Sequence, residues 1–214
     1  PKSQEKITFS IFNYKVSAYR YSTLLFLFKE IFLRNDYYFE LDKSEIKIID
    51  CGANIGMSVL YFKWLYPNCR IIAFEPNPNA FELLKENIKQ NKLKDVQVYN
   101  VGLSNKKGKA DFYYLPKDFA SLKGSINNER KEGRLIQIPV ERLSDYLIDK
   151  QYDLIKIDIE GAEQACLIRL KQFSEKPSYI SIESSKVSIN EIKLELELLA
   201  ALGYDRFKLI QQGT

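Results

Sequence analysis

Ile48-Ile49-Asp50-Cys51-Gly52-Ala53-Asn54-Ile55-Gly56 is the stretch from which the rest of the chain can be read. A short apolar run that ends in a carboxylate, then glycines, then helix formers, is the pattern of a strand turning sharply into a helix. Gly52 and Gly56 have no Cβ, so they tolerate positive φ and let the backbone approach a bound molecule. Asn54 is predicted to cap a helix from Ile55 to Tyr66, which Pro67 stops. The spacing is not that of a dinucleotide fingerprint, and Asp50 at the mouth would repel a pyrophosphate. An acid there suits an ammonium or a sulfonium.

Working outward, Arg70–Phe74 is a second strand that runs into Glu75-Pro76-Asn77-Pro78. Glu75 then ends the strand beside the first, where a carboxylate can take both hydroxyls of a ribose, each charged hydrogen bond contributing about 1.5–3 kcal/mol. Asp50 for a cation and Glu75 for a ribose together describe S-adenosyl-L-methionine. Asn77 caps the next helix with Pro78 at its first position, and Ala80, Leu83, Leu84 and Ile88 share its core face.

From Ile46 on, strands and helices alternate, the pattern of a parallel sheet covered by helices on both faces. Further strands are expected at Val96–Tyr99, Lys109–Leu115, Leu135–Val140, Leu154–Asp158, Tyr179–Ile182 and Tyr204–Ile210. Helices are expected from Glu160 to Leu170 and, behind a Ser188/Glu191 capping box, up to Leu202. Polar Pro116–Arg134 is expected to be either a mobile loop over the site or a disordered insertion. Ahead of all this, Ile7–Val16 alternates as a hairpin about Asn13-Tyr14, and Tyr21–Leu33 is a helix apolar on most sides.

Composition narrows the classes. A chain of 214 residues suits one sizeable α/β domain. The charge of +4, from 32 basic and 28 acidic residues, is a small surplus and argues against a nucleic-acid partner. The 3 cysteines, without C-x-x-C spacing, argue against a disulfide framework or a zinc site. With 0 histidines, a Ser-His-Asp triad and a histidine base are excluded together. Thr23–Phe28 breaks at Lys29-Glu30 before it could span a bilayer, and with unpaired cysteines and no visible leader the expected location is the cytoplasm.

Four segments carry a family resemblance: Ile48–Gly56, Ala73–Pro78, Asn100-Val101-Gly102-Leu103-Ser104, and Ile155–Glu163. In order and spacing they resemble the FkbM-type S-adenosylmethionine-dependent methyltransferase family, over roughly residues 29 to 183. The resemblance implies a Rossmann-like, doubly wound, mostly parallel sheet of the class I methyltransferase type. Residues 1–43 would form a small hairpin and helix cap, and 44–214 the donor-binding domain. It also implies that Asn100, Val101 and Gly102 border the adenine, and that the acceptor is a hydroxyl of a small molecule, a sugar or glycosylated natural product first. Lys29-Glu30-Ile31-Phe32 resembles a segment that precedes the core in some members, so Glu30 and Tyr37 either border the substrate mouth or are a surface charge and a packed aromatic.

Methyl transfer to a hydroxyl needs alignment and a group that removes a proton. Without histidine the carboxylates lead: Asp158 and Glu160 at the end of one strand, and Glu183 at the end of its neighbour. Each has a plainer alternative. Asp158 would position the methionine amino group, Glu160 cap its helix, Glu163 be a solvated helix residue, and Lys156 neutralise them. A divalent cation held by oxygens is another option, though the spacing does not call for one. The expected site is therefore Asp158, Glu160 and Glu183 for catalysis, with Asp50, Gly52, Ala53, Asn54, Gly56, Glu75, Pro76, Asn77, Asn100, Val101, Gly102 and Asp158 around the donor, and no metal. Two other classes stay open: a donor-binding protein that has lost transfer, and a nucleic-acid ribose methyltransferase, for which no partner lysine to Lys156 is evident.

Overall fold

A computed structural model describes residues 6–114, 134–147, 151–159, 162–171, 175–184 and 189–210. The chain opens with a hairpin, β1 (Ile7–Ile11) and β2 (Tyr14–Ala18), then α1 (Tyr21–Phe28), which runs on into a π-helical turn at Lys29–Leu33. Next come β3 (Lys47–Cys51), α2 (Met57–Leu65), β4 (Arg70–Phe74), α3 (Pro78–Gln90) and β5 (Val96–Tyr99). The chain continues through β6 (Gly102–Leu103), β7 (Gly108–Tyr114), β8 (Arg134–Glu141) and α4 (Ser144–Leu147). It closes with β9 (Leu154–Ile157), α5 (Glu163–Leu170), β10 (Tyr179–Ile182) and α6 (Ile189–Ala201).

The central sheet has the order β10-β9-β3-β4-β5, and every neighbouring pair is parallel. From β3 the chain steps outward to β4 and β5, then returns to lay β9 on the other side of β3. That reversal makes the crevice beyond the carboxyl ends of β3 and β9 the place where an open α/β sheet binds its ligand. A separate sheet of β6, β8 and β7 lies beside it, with Phe112, Ile138 and Val140 as its own small core.

Strand alternation sorts the side chains between two apolar layers. Ile48, Ile71, Ala73 and Leu154 pack with α2, α3, α1 and the hairpin. Ile49, Cys51, Ile72, Phe74, Ile155 and Ile157 pack with α5 and α6. Asp50 and Lys156 are partners across the β3–β9 pair. By alternation both fall on the α2 side, inside the molecule rather than at its mouth. The α/β doubly wound fold expected from the sequence is the fold observed.

Several local expectations need correcting. Helix α2 begins at Met57, not Ile55, and its cap is Gly56 at φ 90°; Asn54 sits at φ 47°, in the left-handed region, and its Oδ1 accepts from Ile55 N–H at 2.8 Å, ahead of the helix. Tyr204–Ile210 is not a strand: among the described residues no edge pairs with it, and Leu209 stands 86% exposed. The hairpin turns at Phe12-Asn13, one residue earlier than expected, because Ile11 pairs with Tyr14. The Pro116–Arg134 loop, save Arg134 itself, Glu160, and the Ser188 half of the capping box lie outside the described residues. Among the described residues no helix is long and apolar enough to cross a membrane.

Candidate active site

A cavity of about 460 Å³ opens beyond the carboxyl ends of the central strands. Its first wall is the turn between β3 and α2, with Gly52, Ala53 and Asn54, backed by Met57 and Ser58. Glu75, Pro76 and Asn77 after β4, and Val101, Gly102 and Leu103 after β5, form the second. Lys156, Asp158, Ile159 and Glu183 after β9 and β10 form the third, and Phe26, Leu27, Glu30, Ile31 and Tyr37 close it from α1 and the segment after it. Carboxylates on three of these walls suit a cationic ligand.

The glycine turn is built by packing as much as by flexibility. Gly52 N–H and Ala53 N–H both donate to the Phe74 carbonyl, at 3.0 and 2.9 Å. Gly52 takes φ 94°, and a Cβ there would lie 1.8 Å from the Asp158 carbonyl oxygen. No other residue fits between the two strand ends. Behind the turn, buried Asn87 of α3 donates to the Ile55 carbonyl at 2.7 Å and exchanges two bonds with Ser17, so it ties the hairpin, α3 and the turn together.

Glu75 is 5% exposed and held at both oxygens: Asn54 N–H donates to Oε2 and Asn77 N–H to Oε1, each at 2.8 Å. Each oxygen has capacity for a further hydrogen bond, and the carboxylate is on the cavity wall. Burial raises its pKa to about 7, against the opposing pull of those two N–H donors. Asn77 also caps α3, its Oδ1 accepting from Asn79 N–H at 3.0 Å.

Lys156 is the electrostatic centre. It is 2% exposed, and its ammonium lies 3.1 Å from Asp50 and 3.2 Å from Asp158, while donating to the Gly52 carbonyl at 2.9 Å. Burial works to lower its pKa, but the two carboxylates outweigh that and leave it well above the usual lysine value. Asp50 is fully buried and takes Ser58 Oγ–H at 2.5 Å on its other oxygen. Asp158 also accepts from Tyr37 O–H at 3.1 Å. Burial pushes Asp158 upward, yet the Lys156 charge and the hydrogen bonds from Glu183, Lys156 and Tyr37 leave it below its usual value.

Comparison with known proteins sets this geometry in a family. The Methyltransferase FkbM domain matches residues 50–206. The chain belongs to that family. Methyltransferase 1 of Beauveria bassiana is 31% identical over 162 residues, 66% of this chain and 65% of that protein. The 2-O-methyltransferase NoeI of Sinorhizobium fredii is 27% identical over 188 residues, 80% of this chain and 76% of its own. Among solved structures, precorrin-6y C5,15-methyltransferase of Geobacter metallireducens superposes with a TM-score of 0.48 at 15% identity, over 85% of this chain and 70% of that one. The chain spans less than two thirds of the length of Methyltransferase 1.

Of the residues expected at the site of this FkbM domain, Gly52, Ala53, Asn54, Glu75, Pro76, Asn77, Val101, Gly102, Asp158 and Glu183 do line one cavity. Asp50, Gly56 and Asn100 do not. Asp50 points into the α2 layer and serves Lys156, so the acid expected at the mouth is behind the wall instead. Gly56 acts on the helix start, where a Cβ would come 2.7 Å from Leu84 Cδ1. Asn100 donates to the carbonyls of Glu75 and Pro76, at 2.7 and 3.2 Å, and thereby holds the turn after β4. Glu163, at the start of α5, is buried rather than solvated.

Sequence reasoning gave Lys156, Ser58 and Asn87 too little weight. A lysine inside an apolar strand that is buried on both faces must be paired, and that was the available signal. Among the described residues, no group of three or more His, Cys, Asp or Glu is placed to hold a metal ion.

Proposed function

We propose that this FkbM domain is an S-adenosylmethionine-dependent O-methyltransferase acting on a hydroxyl of a small molecule, with a sugar or glycosylated natural product as the first choice. The observation that carries the reading is the carboxylate of Glu75, fixed by two backbone N–H groups on the wall of a cavity that also bears Asp158 and Glu183. The cavity fits the donor by its chemistry. Glu75 would accept from the ribose hydroxyls, Val101, Gly102 and Leu103 would border the adenine, and the acids of the third and fourth walls would face the cationic end. When bound, the donor supplies an electrophilic methyl carbon.

The chain's own residues do the rest. Lys156 holds Asp158 and the Gly52 carbonyl in one geometry, which keeps the turn and the catalytic wall in register. Asp158, with Glu160 and Glu183, is assigned to orienting the acceptor hydroxyl. Residues 1–43 act as a cap on the donor domain, 44–214, and the packing of Val16, Leu24 and Ile31 into the same apolar layer as Ile48 and Leu60 supports that division of labour. The 2-O-methyltransferase activity of NoeI supports an oxygen acceptor. Lys156 is buried between two acids, which speaks against a catalytic lysine of the ribose methyltransferase kind.

The test is incubation with S-adenosylmethionine and a panel of methyl glycosides, with a short RNA alongside, following S-adenosylhomocysteine release and product mass. Methylation of a glycoside hydroxyl is expected, and Asp158→Asn should lower turnover at least about 100-fold. Donor binding without any transfer would leave a binding protein, and methylation of the RNA alone would replace the acceptor class.

A further inference from the structure

Glu30 lies where an acid is costly. Glu30, Ile31 and Phe32 are three successive buried residues. A π-helical turn ends the helix, with Arg34 N–H reaching back to the Lys29 carbonyl at 3.0 Å, and Glu30 stands beside Leu27 and Ile31 on the cavity wall. Its Oε1 takes Arg34 at 3.0 Å, and Arg34 spans on to Asp36 at 2.8 Å. The Arg34 side chain is 33% exposed and that of Glu30 11%, so the pair is open to the solvent on the arginine side only.

Resting on the function proposed above, we propose that Glu30 is the base that takes the proton from the acceptor hydroxyl. The other acids on the wall are less suited to it. Asp158 Oδ2 lies 3.2 Å from Lys156 and accepts from Tyr37 at 3.1 Å, which makes it a weak base. Glu75 belongs to the ribose side, with both oxygens held by backbone N–H groups. Glu183 shares a hydrogen bond with Asp158. In the step, the acceptor oxygen bonds to the methyl carbon as the carbon–sulfur bond breaks. That electron pair stays on sulfur, the hydroxyl proton passes to the Glu30 carboxylate, and the charges of sulfonium and carboxylate cancel.

The proton affinity of Glu30 agrees with this role. Burial raises its pKa to about 7, with Asp36 and Asp158 adding to the rise and Arg34 opposing it. Lys156 and Tyr37 complete the titratable groups of the facing walls. A base whose pKa lies near working pH is the most effective.

The test compares wild type, Glu30→Gln and Glu30→Asp, using the same methyl glycosides as probes. For Glu30→Gln we expect kcat to fall at least about 100-fold, with the calorimetric Kd for S-adenosylmethionine within about threefold, partial recovery in Glu30→Asp, and a weaker infrared carboxylic-acid band near pH 7, the share of Glu75 remaining. Turnover of Glu30→Gln within threefold of wild type would overturn the assignment and leave the methyltransferase reading intact. So would a donor Kd raised tenfold with kcat kept, which would make Glu30 an anchor for the donor. A wild type that binds the donor and methylates no glycoside would instead sink the methyltransferase reading, and Glu30's role with it.

Discussion

Replacing Lys156 by Met keeps the length and apolar stem of the side chain and removes only the ammonium. Asp50, 0% exposed, and Asp158, whose side chain is 25% exposed, then face each other across the strand ends with no cation between them. Removing one partner of a buried pair costs about 3–5 kcal/mol, because the remaining charge stays desolvated. We expect a loss of that size at pH 7.5 in urea denaturation.

The pH dependence has a definite sign. In wild type the lowered pKa of Asp158 is a stabilising contribution present above its ordinary value and lost in acid. In the variant the unpaired acids shift upward, so the folded state binds protons and the variant loses stability as pH rises. The difference between the two proteins should therefore be smallest near pH 5 and largest near pH 8, and Asp50→Asn added to Lys156→Met should recover part of it. A loss below about 1 kcal/mol at pH 7.5, or one that does not change with pH, would refute the central role given to Lys156.

Glu75→Gln presents an amide N–H to one of two backbone donors, so it loses a hydrogen bond as well as a charge; the Kd for S-adenosylmethionine, read by calorimetry, should rise about 10- to 100-fold. In wild type, hydroxyl donors favour the ionised Glu75 with its pKa of about 7, so donor affinity should be flat above pH 8 and fall toward tenfold per unit below pH 7, a dependence that Glu75→Gln lacks. Gly52→Ala drives a methyl group into the Asp158 carbonyl and should abolish donor binding while the far-ultraviolet circular dichroism stays near wild type.

The strands and most helices were legible because their signals are local: apolar runs of four or five residues, Asn77-Pro78 at a helix start, and glycines at the strand end. The side of the sheet on which Asp50 lies was legible too, by counting alternation from Ile49, but its meaning depended on Lys156 of a strand more than a hundred residues later. Asn54 was misplaced for a related reason. Its left-handed backbone is set by the bond its N–H makes to Glu75, a contact across two strands. Glu30 had the plain look of a surface charge. Its burial comes from the docking of this helix on the core through Leu24, Leu27, Ile31 and Phe32, a tertiary contact that no local signal encodes.

The most direct test is calorimetric titration of the wild-type domain with S-adenosylmethionine and, separately, with NAD. We expect one molecule of S-adenosylmethionine to bind per chain, with no measurable heat from NAD. Silence from S-adenosylmethionine, or equal binding of the two, would contradict the assignment of Glu75 and the cavity beside it to a methyl donor.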